Sequence, residues 1–190
     1  RSADRWLPGD YEIVPNGVLI PPQADPANRE ERIVFAGRHE RRKGLHVLLG
    51  AWPRIRRETG VSLSVCGADP LRVKLLISRL RIDDDGIDVR GFLPQEEFTR
   101  ELLRAKALVA PSLGGESFGI VLVRPLACAT PVVASDIPGY RDVMTPDTCV
   151  PFPPGDRDAL ADAVIGLLAD EARRERMGAA LEECARVLRP

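Results

Sequence analysis

The sequence predicts an α/β fold: a Rossmann-like parallel sheet of about six strands with helices on both faces. Three observations carry that expectation. Short apolar runs alternate along the chain with longer stretches of helical apolar spacing. Runs such as Ala107-Leu108-Val109-Ala110 and Pro131-Val132-Val133-Ala134 are apolar throughout, as strands covered on both faces require. Aliphatic residues dominate while aromatics supply only 5% of the chain, a usual balance for helices packed on a parallel sheet.

In order, residues 1–13 read as a leader or the remnant of an interdomain linker, and Arg1 in place of a starting Met suggests a piece of a longer protein. Residues 14–190 form the domain. Pro15-Asn16-Gly17 reads as a turn, 18–20 as a short extended piece and 21–29 as a polar loop. The first central strand is expected over 32–36. A basic loop, Gly37-Arg38-His39-Glu40-Arg41-Arg42-Lys43-Gly44, then leads to a helix over 44–59. Leu45, Val47, Leu48 and Trp52 supply its apolar face, Pro53 should bend or divide it, and Gly60 should end it.

A strand over 61–65, a turn at Gly67 and a helix over 70–80 with Pro70 near its start follow. Asp83-Asp84-Asp85-Gly86 reads as a solvated turn, since a calcium loop needs many more spaced oxygen ligands. Residues 87–90 make the third strand. A helix over 95–106 turns Phe98, Leu102 and Leu103 inward, and 107–110, 131–134 and 149–152 complete the strands, the last after a turn at Pro146-Asp147. Asp156 caps a helix carrying Leu160, Val164, Leu167 and Leu168, and a final helix spans 171–188. Ligands of such sheets bind beyond the carboxyl ends of the strands, the edge that the loops at 37, 67, 91, 112 and 135 all leave.

The formal net charge of −1 gives no global pull toward nucleic acid or an acidic membrane surface. No apolar run approaches the ~20 residues of a membrane span, and the chain start lacks a signal-peptide pattern, so a cytoplasmic location is expected and membrane contact is not evident. Cys66, Cys128, Cys149 and Cys184 are widely spaced in apolar contexts, without the paired spacing of a zinc site; they read as buried, reduced thiols.

The segment 107–124 carries the chemistry. The strand 107–110 stops at Pro111, passes Gly114 and Gly115, and restarts with helical spacing. The glycines let a ligand approach the backbone, and the unpaired N–H groups of a helix start suit a phosphate. Glu116 would repel a phosphate unless it accepts hydrogen bonds from something else, such as sugar hydroxyls. The combination points to a ligand with both groups.

Glu116-Ser117-Phe118-Gly119-Ile120-Val121-Leu122-Val123, followed by Pro131-Val132-Val133-Ala134-Ser135-Asp136, resembles the nucleotide-sugar-binding core of retaining glycosyltransferases of the GT-B fold, family 4. Val14-Pro15-Asn16-Gly17-Val18 resembles that family's entry into its C-terminal domain. Phe35-Ala36-Gly37-Arg38 with Lys43-Gly44 resembles its phosphate-binding loop, and Gly91-Phe92-Leu93-Pro94 the loop that meets the nucleobase. The resemblance covers roughly residues 14–170. It implies the C-terminal, donor-binding half of a GT-B enzyme that transfers a hexosyl group from a nucleoside diphosphate sugar without a metal or other cofactor. The acceptor site would lie on an N-terminal domain, and this chain alone would bind donor without turning over.

By the same resemblance, Arg38 and Lys43 stabilise charge on the departing diphosphate, and Glu116 holds the sugar hydroxyls. Phe118, Gly119 and Ile120 offer backbone N–H groups to phosphate, with Ser117 beside them; Gly37, Gly67 and Leu93 line the donor pocket. Arg41 and Arg42 are expected to be solvated, and His39 to lie on the surface. One position departs from the family: eight residues after Glu116, where a second glutamate would accept hydrogen bonds from ribose, stand Arg124 and Pro125. Arginine cannot accept a hydrogen bond. Arg124 is expected to reach back to Glu116 or a phosphate, and Pro125 to kink or restart the helix.

That departure leaves a second expectation, a binding or regulatory module of the same fold without catalysis. A dinucleotide-binding enzyme fits less well, because the first strand leads into Gly37-Arg38-His39-Glu40 and not a glycine-rich fingerprint. A sugar-nucleotide epimerase of the GT-B fold remains open.

Overall fold

The computed structural model describes residues 21, 29–116, 119–141 and 143–187; the readings made above for 1–20 and for most of 21–29 lie outside the described residues. Six strands, β1 (Glu30–Ala36), β2 (Ser62–Cys66), β3 (Ile87–Gly91), β4 (Ala105–Ala110), β5 (Val132–Ser135) and β6 (Cys149–Phe152), form a parallel sheet in the order β3-β2-β1-β4-β5-β6. The Rossmann-like α/β expectation holds. Phe35 pairs with Val65 on one side and Val109 on the other, and the β1–β4 register shifts once, between Glu30 and Ile33.

Helices α1 (Leu45–Thr59), α2 (Pro70–Leu80) and α6 (Arg157–Ala169) cover one face, over a core holding Ile33, Phe35, Leu63, Val65, Val109 and Val133. The other face, with Val34, Leu108, Ala110, Val132 and Ala134, meets α3 (Gln95–Arg104), α4 (Ile120–Ala127) and the short α5 (Pro138–Arg141). The last helix, α7 (Glu171–Val187), packs along α4 and α6. Among the described residues no helix is long and apolar enough to cross a membrane.

Local chemistry explains the boundaries. Pro70 opens α2 where its missing N–H costs nothing, and the Asp69 side chain accepts from the Arg72 N–H at 2.9 Å. Asp156 Oδ1 accepts from the N–H groups of Asp158 and Ala159, both at 3.0 Å, and starts α6 as expected. Gly60, at φ 69°, closes α1. The Asp83–Asp85 run is exposed, and the Asp85 carbonyl accepts from Trp52 Nε1 at 3.0 Å, which ties this turn to the core.

Several expectations need correction. Pro53 does not divide α1, and Pro125 neither restarts nor breaks α4; both helices run through. Each proline removes one ladder bond, but Trp52 and Ile55 in α1, and Leu122, Val123 and Leu126 in α4, are buried beside it. Burial of such side chains stabilises by roughly 1.5–3 kcal/mol each and outweighs the loss. The third helix stops at Arg104 and β4 starts at Ala105, two residues before the expected strand, because the buried Ala105 pairs against Glu30. The four-residue α5 has no counterpart among the expected elements. Cys66, Cys128 and Cys149 are buried and unpaired, while Cys184 is only half-buried.

Among the described residues one carboxylate is buried inside the apolar frame. Glu101 on α3, 5% exposed, accepts from Ser64 Oγ at 2.8 Å and pairs with Arg32 at 3.1 Å and Arg90 at 3.2 Å. Its charge is compensated on three sides, as burial demands.

Candidate functional site

The strand order places β1 and β4 side by side at the centre of the sheet. From β1 the chain winds outward to β2 and β3; from β4 it winds the other way to β5 and β6. The helices that follow the two central strands lie on opposite faces of the sheet, α1 on one and α4 on the other, and a crevice opens between them at the carboxyl ends of the strands, the usual ligand position of such sheets.

The loop after β1 turns tightly through a 3₁₀ turn, Arg41–Lys43, and Gly44 at φ 71°. A Cβ on Gly44 would stand 1.7 Å from the Pro111 carbonyl oxygen, so this position brings the β1 loop against the β4 loop and admits no side chain. The Leu113 N–H donates to the Arg42 carbonyl at 2.7 Å and locks the two loops together.

Glu116 is the result of that contact. Its Oε1 accepts from Lys43 Nζ at 2.7 Å, from Arg42 Nη1 at 3.0 Å and from Ser112 Oγ at 3.3 Å. Ser112 Oγ in turn lies 2.8 Å from the buried Tyr140 hydroxyl on α5. Burial pushes the Tyr140 hydroxyl up to about 12, with the Ser112 contact acting against that rise; it stays a neutral phenol that donates toward Ser112. Gly139 is required beneath this network, since a Cβ there would lie 1.7 Å from the Glu116 carbonyl oxygen.

The structure thus joins Lys43 with Glu116, both foreseen. Arg38 takes a different place: its side chain is 74% exposed and pairs with Glu40 at 2.9 Å. Arg42, expected to be solvated, instead bridges Glu40 at 2.7 Å and Glu116 at 3.0 Å. That expectation fails because three adjacent cations in one loop look alike in sequence, and only the 3₁₀ turn decides which face the crevice. His39 is half-buried; its Nδ1 is shielded, without a partner among the described residues. Sequence reasoning misses Ser112 and Tyr140. The one available signal is that their loops leave the same sheet edge as Glu116.

Gly119, in the left-handed region at φ 64°, starts α4 and rests on the Tyr140 ring, so the helix opens at Ile120 beside the crevice. Ser117 and Phe118 lie outside the described residues.

Beside the charged cluster runs a slot of ≈390 Å³. Ala36 and Gly37 leave β1, Cys66 and Gly67 end β2, and Phe92, Leu93, Pro94 and Gln95 follow β3; Phe98 of α3 and Arg124 of α4 close it. Two backbone bonds stitch its floor, Gly37 N–H to the Cys66 carbonyl at 2.9 Å and Gly67 N–H to the Gly91 carbonyl at 2.6 Å. Gly37, Gly67 and Leu93 are therefore together, as expected. Phe92 is 90% exposed at the mouth. Arg124 does not reach Glu116. Its guanidinium carbon sits 5.6 Å from the centroid of the Phe98 ring, a cation–π contact that holds it in the slot.

An equally large hollow lies at the amino end of the sheet, between Arg29, Lys106, Pro131 and α7. Its cations are occupied structurally. Arg29 donates to the carbonyls of Leu102, Ala105, Cys128 and Ala129 and pins the ends of α3 and α4; Lys106 pairs with Glu31, and Arg174 binds the Leu167 and Leu168 carbonyls. The carboxyl-end crevice is the better candidate, because its cations meet the side-chain carboxylates of Glu40 and Glu116 beside an open slot, whereas those of the amino-end hollow are spent largely on backbone carbonyls. Among the described residues no three His, Cys, Asp or Glu side chains gather as a metal site would require.

A family model described as glycosyl transferases group 1 matches residues 19–183. The phosphatidyl-myo-inositol mannosyltransferase of Mycobacterium leprae is 36% identical over 206 residues, covering 97% of this chain and 52% of that protein. A glycogen synthase of Mycobacterium tuberculosis is 34% identical over 166 residues, covering 85% of this chain and 39% of that protein. Among solved structures, the sucrose-phosphate synthase of Thermosynechococcus elongatus superposes with a TM-score of 0.80 at 29% identity, over 98% of this chain and 51% of that one. The chain spans about half the length of the curated relatives it matches.

Proposed function

The chain belongs to the glycosyl transferases group 1 family, and from that membership we propose that it is the donor-binding half of a retaining glycosyltransferase. It takes a nucleoside diphosphate sugar and, with an N-terminal acceptor domain, moves the hexosyl group to an acceptor without a metal. The observation that carries this reading is the Glu116 carboxylate held at the β1/β4 crevice by Lys43 and Arg42.

In the proposed reaction the nucleotide lies in the slot, and its diphosphate lies between the start of α4 and the β1 loop. Breaking the bond from the sugar's anomeric carbon to the diphosphate leaves the electron pair on a phosphate oxygen. Lys43, Arg42 and the exposed Arg38 stabilise that charge as it develops. Glu116, already oriented by its two cations, accepts hydrogen bonds from the sugar. The acceptor oxygen bonds to the anomeric carbon on the face being vacated, and its proton passes to the departing phosphate oxygen.

A second reading is favoured by Arg124, which offers the slot only donors: the chain is a nucleotide-binding module without catalysis. Calorimetric titration with UDP, GDP and ADP, with no metal added and NAD as control, tests the common premise. Saturable binding of one diphosphate is expected; binding of none, or of NAD alone, overturns both readings. A transfer assay on the protein that includes the acceptor domain separates them.

A further inference from the structure

Among the described residues, Arg124 is the one charged side chain lining the slot. It is half-buried, faces Phe98 and, within the same set of residues, has neither a carboxylate nor a hydrogen-bond acceptor. The guanidinium carbon lies over the Phe98 ring, 5.6 Å from its centroid, and a ring face leaves the guanidinium with several N–H donors for a ligand. A cation on largely apolar walls gains most from an anion, because water screens it little there.

Charge balance in the crevice points the same way. Arg38, Arg42 and Lys43 face Glu40 and Glu116, so this paired cluster is left with one surplus positive charge. A diphosphate brings at least two negative charges. Arg124 lies four residues into α4, roughly 6 Å along the axis from the helix start at about 1.5 Å per residue. Helical side chains lean toward the N-terminus, which brings a long one back toward a phosphate at that start.

We propose that Arg124 binds a phosphate of the donor diphosphate from inside the nucleotide slot, and does not read the ribose hydroxyls. This inference rests on the donor-binding reading above. The nucleoside then lies against apolar walls, and this arginine adds to the β1-loop cations in discriminating a diphosphate from its bare nucleoside.

The experiment compares affinities of the wild-type chain, Arg124→Gln, Arg124→Lys and Arg124→Glu for the best-bound nucleoside diphosphate and for the matching nucleoside, at two salt concentrations. Loss of a charged hydrogen bond predicts that Arg124→Gln weakens the diphosphate roughly tenfold or more while nucleoside affinity stays within about twofold. Arg124→Glu should weaken the diphosphate further, and Arg124→Lys should retain part of it. The salt dependence of diphosphate binding should fall in Arg124→Gln. Equal losses for nucleoside and diphosphate, or tighter binding of both by Arg124→Glu, overturn the inference in favour of ribose contact. No change in any variant also overturns it. A wild-type chain that binds no nucleoside diphosphate overturns the donor reading first and this inference with it. Melting curves of the four proteins exclude misfolding as the cause of a loss.

Discussion

Glu116 Oε1 accepts a hydrogen bond from Lys43 Nζ at 2.7 Å, although 73 residues separate them in the chain. Both side chains are mostly buried, Glu116 10% and Lys43 16% exposed, so the pair is a structural joint between the β1 and β4 loops as well as a candidate site. Glu116→Gln keeps the shape and removes the charge. It should lower stability by ~1–3 kcal/mol, read from the urea midpoint. With the acceptor domain present, transfer should fall ~10²–10³-fold, the range for lost electrostatic stabilisation. Lys43→Ala should cost less stability, because Arg42 still holds the carboxylate. Full transfer activity in Glu116→Gln would remove this carboxylate from the mechanism.

Gly44 predicts a backbone effect of a different kind. Its φ of 71° is left-handed, and an added Cβ would approach the Pro111 carbonyl oxygen to 1.7 Å, which leaves alanine no room. Gly44→Ala should separate the two loops, with a loss above ~3 kcal/mol from strain and displaced packing. Nucleotide affinity should drop even at temperatures where the chain stays folded. Unchanged affinity in a folded variant would show that the loop joint does not shape the site.

Much of this was legible in the sequence for identifiable reasons. Strands such as 149–152 and helices such as 70–80 were bounded by local chemistry, a proline at the first helical position and an aspartate that caps, and those signals survive folding. Lys43 and Glu116 were legible through the family resemblance. Arg42 was not, because its role depends on a 3₁₀ turn that points it across a gap to another loop. Tyr140 was hidden for a similar reason: four residues of helix give no periodicity, and its partner Ser112 is 28 residues away. The courses of α1 and α4 through Pro53 and Pro125 show tertiary burial overriding a local breaker.

The thiols make a separable prediction. Cys66, Cys128 and Cys149 are buried, and burial pushes them up to about 11, 11 and 12, so thiolate is scarce at neutral pH. Cys184 is half-buried on α7. At about pH 7.5, below the ordinary thiol range, a disulfide reagent should label Cys184 first, and the other three should react only with unfolding. Peptide mapping after a short pulse checks this, and early labelling of Cys149 would contradict the burial of β6.

Tyr140 links the network around Glu116 to alkaline stability. An unfolded tyrosine ionises near 10, whereas burial carries the folded Tyr140 to about 12. Between those values the folded chain holds a proton that the unfolded chain has lost, so stability falls as pH rises. The contribution is complete below pH 10 and gone above about 12, and over that window it amounts to ~2–3 kcal/mol. Cysteine ionisation acts in an overlapping range, so the comparison must be with Tyr140→Phe, in which the thiols are the same and cancel. At pH 8 Tyr140→Phe should be less stable by ~1 kcal/mol, since Ser112 loses the shorter of its two hydrogen bonds. The gap should close and then reverse as pH approaches 12. Urea unfolding of both proteins at pH 8, 10 and 11.5 measures it; a gap that stays constant across the series would mean that the Tyr140 hydroxyl reaches water and that Glu116 is not backed by a closed Ser112–Tyr140 wall.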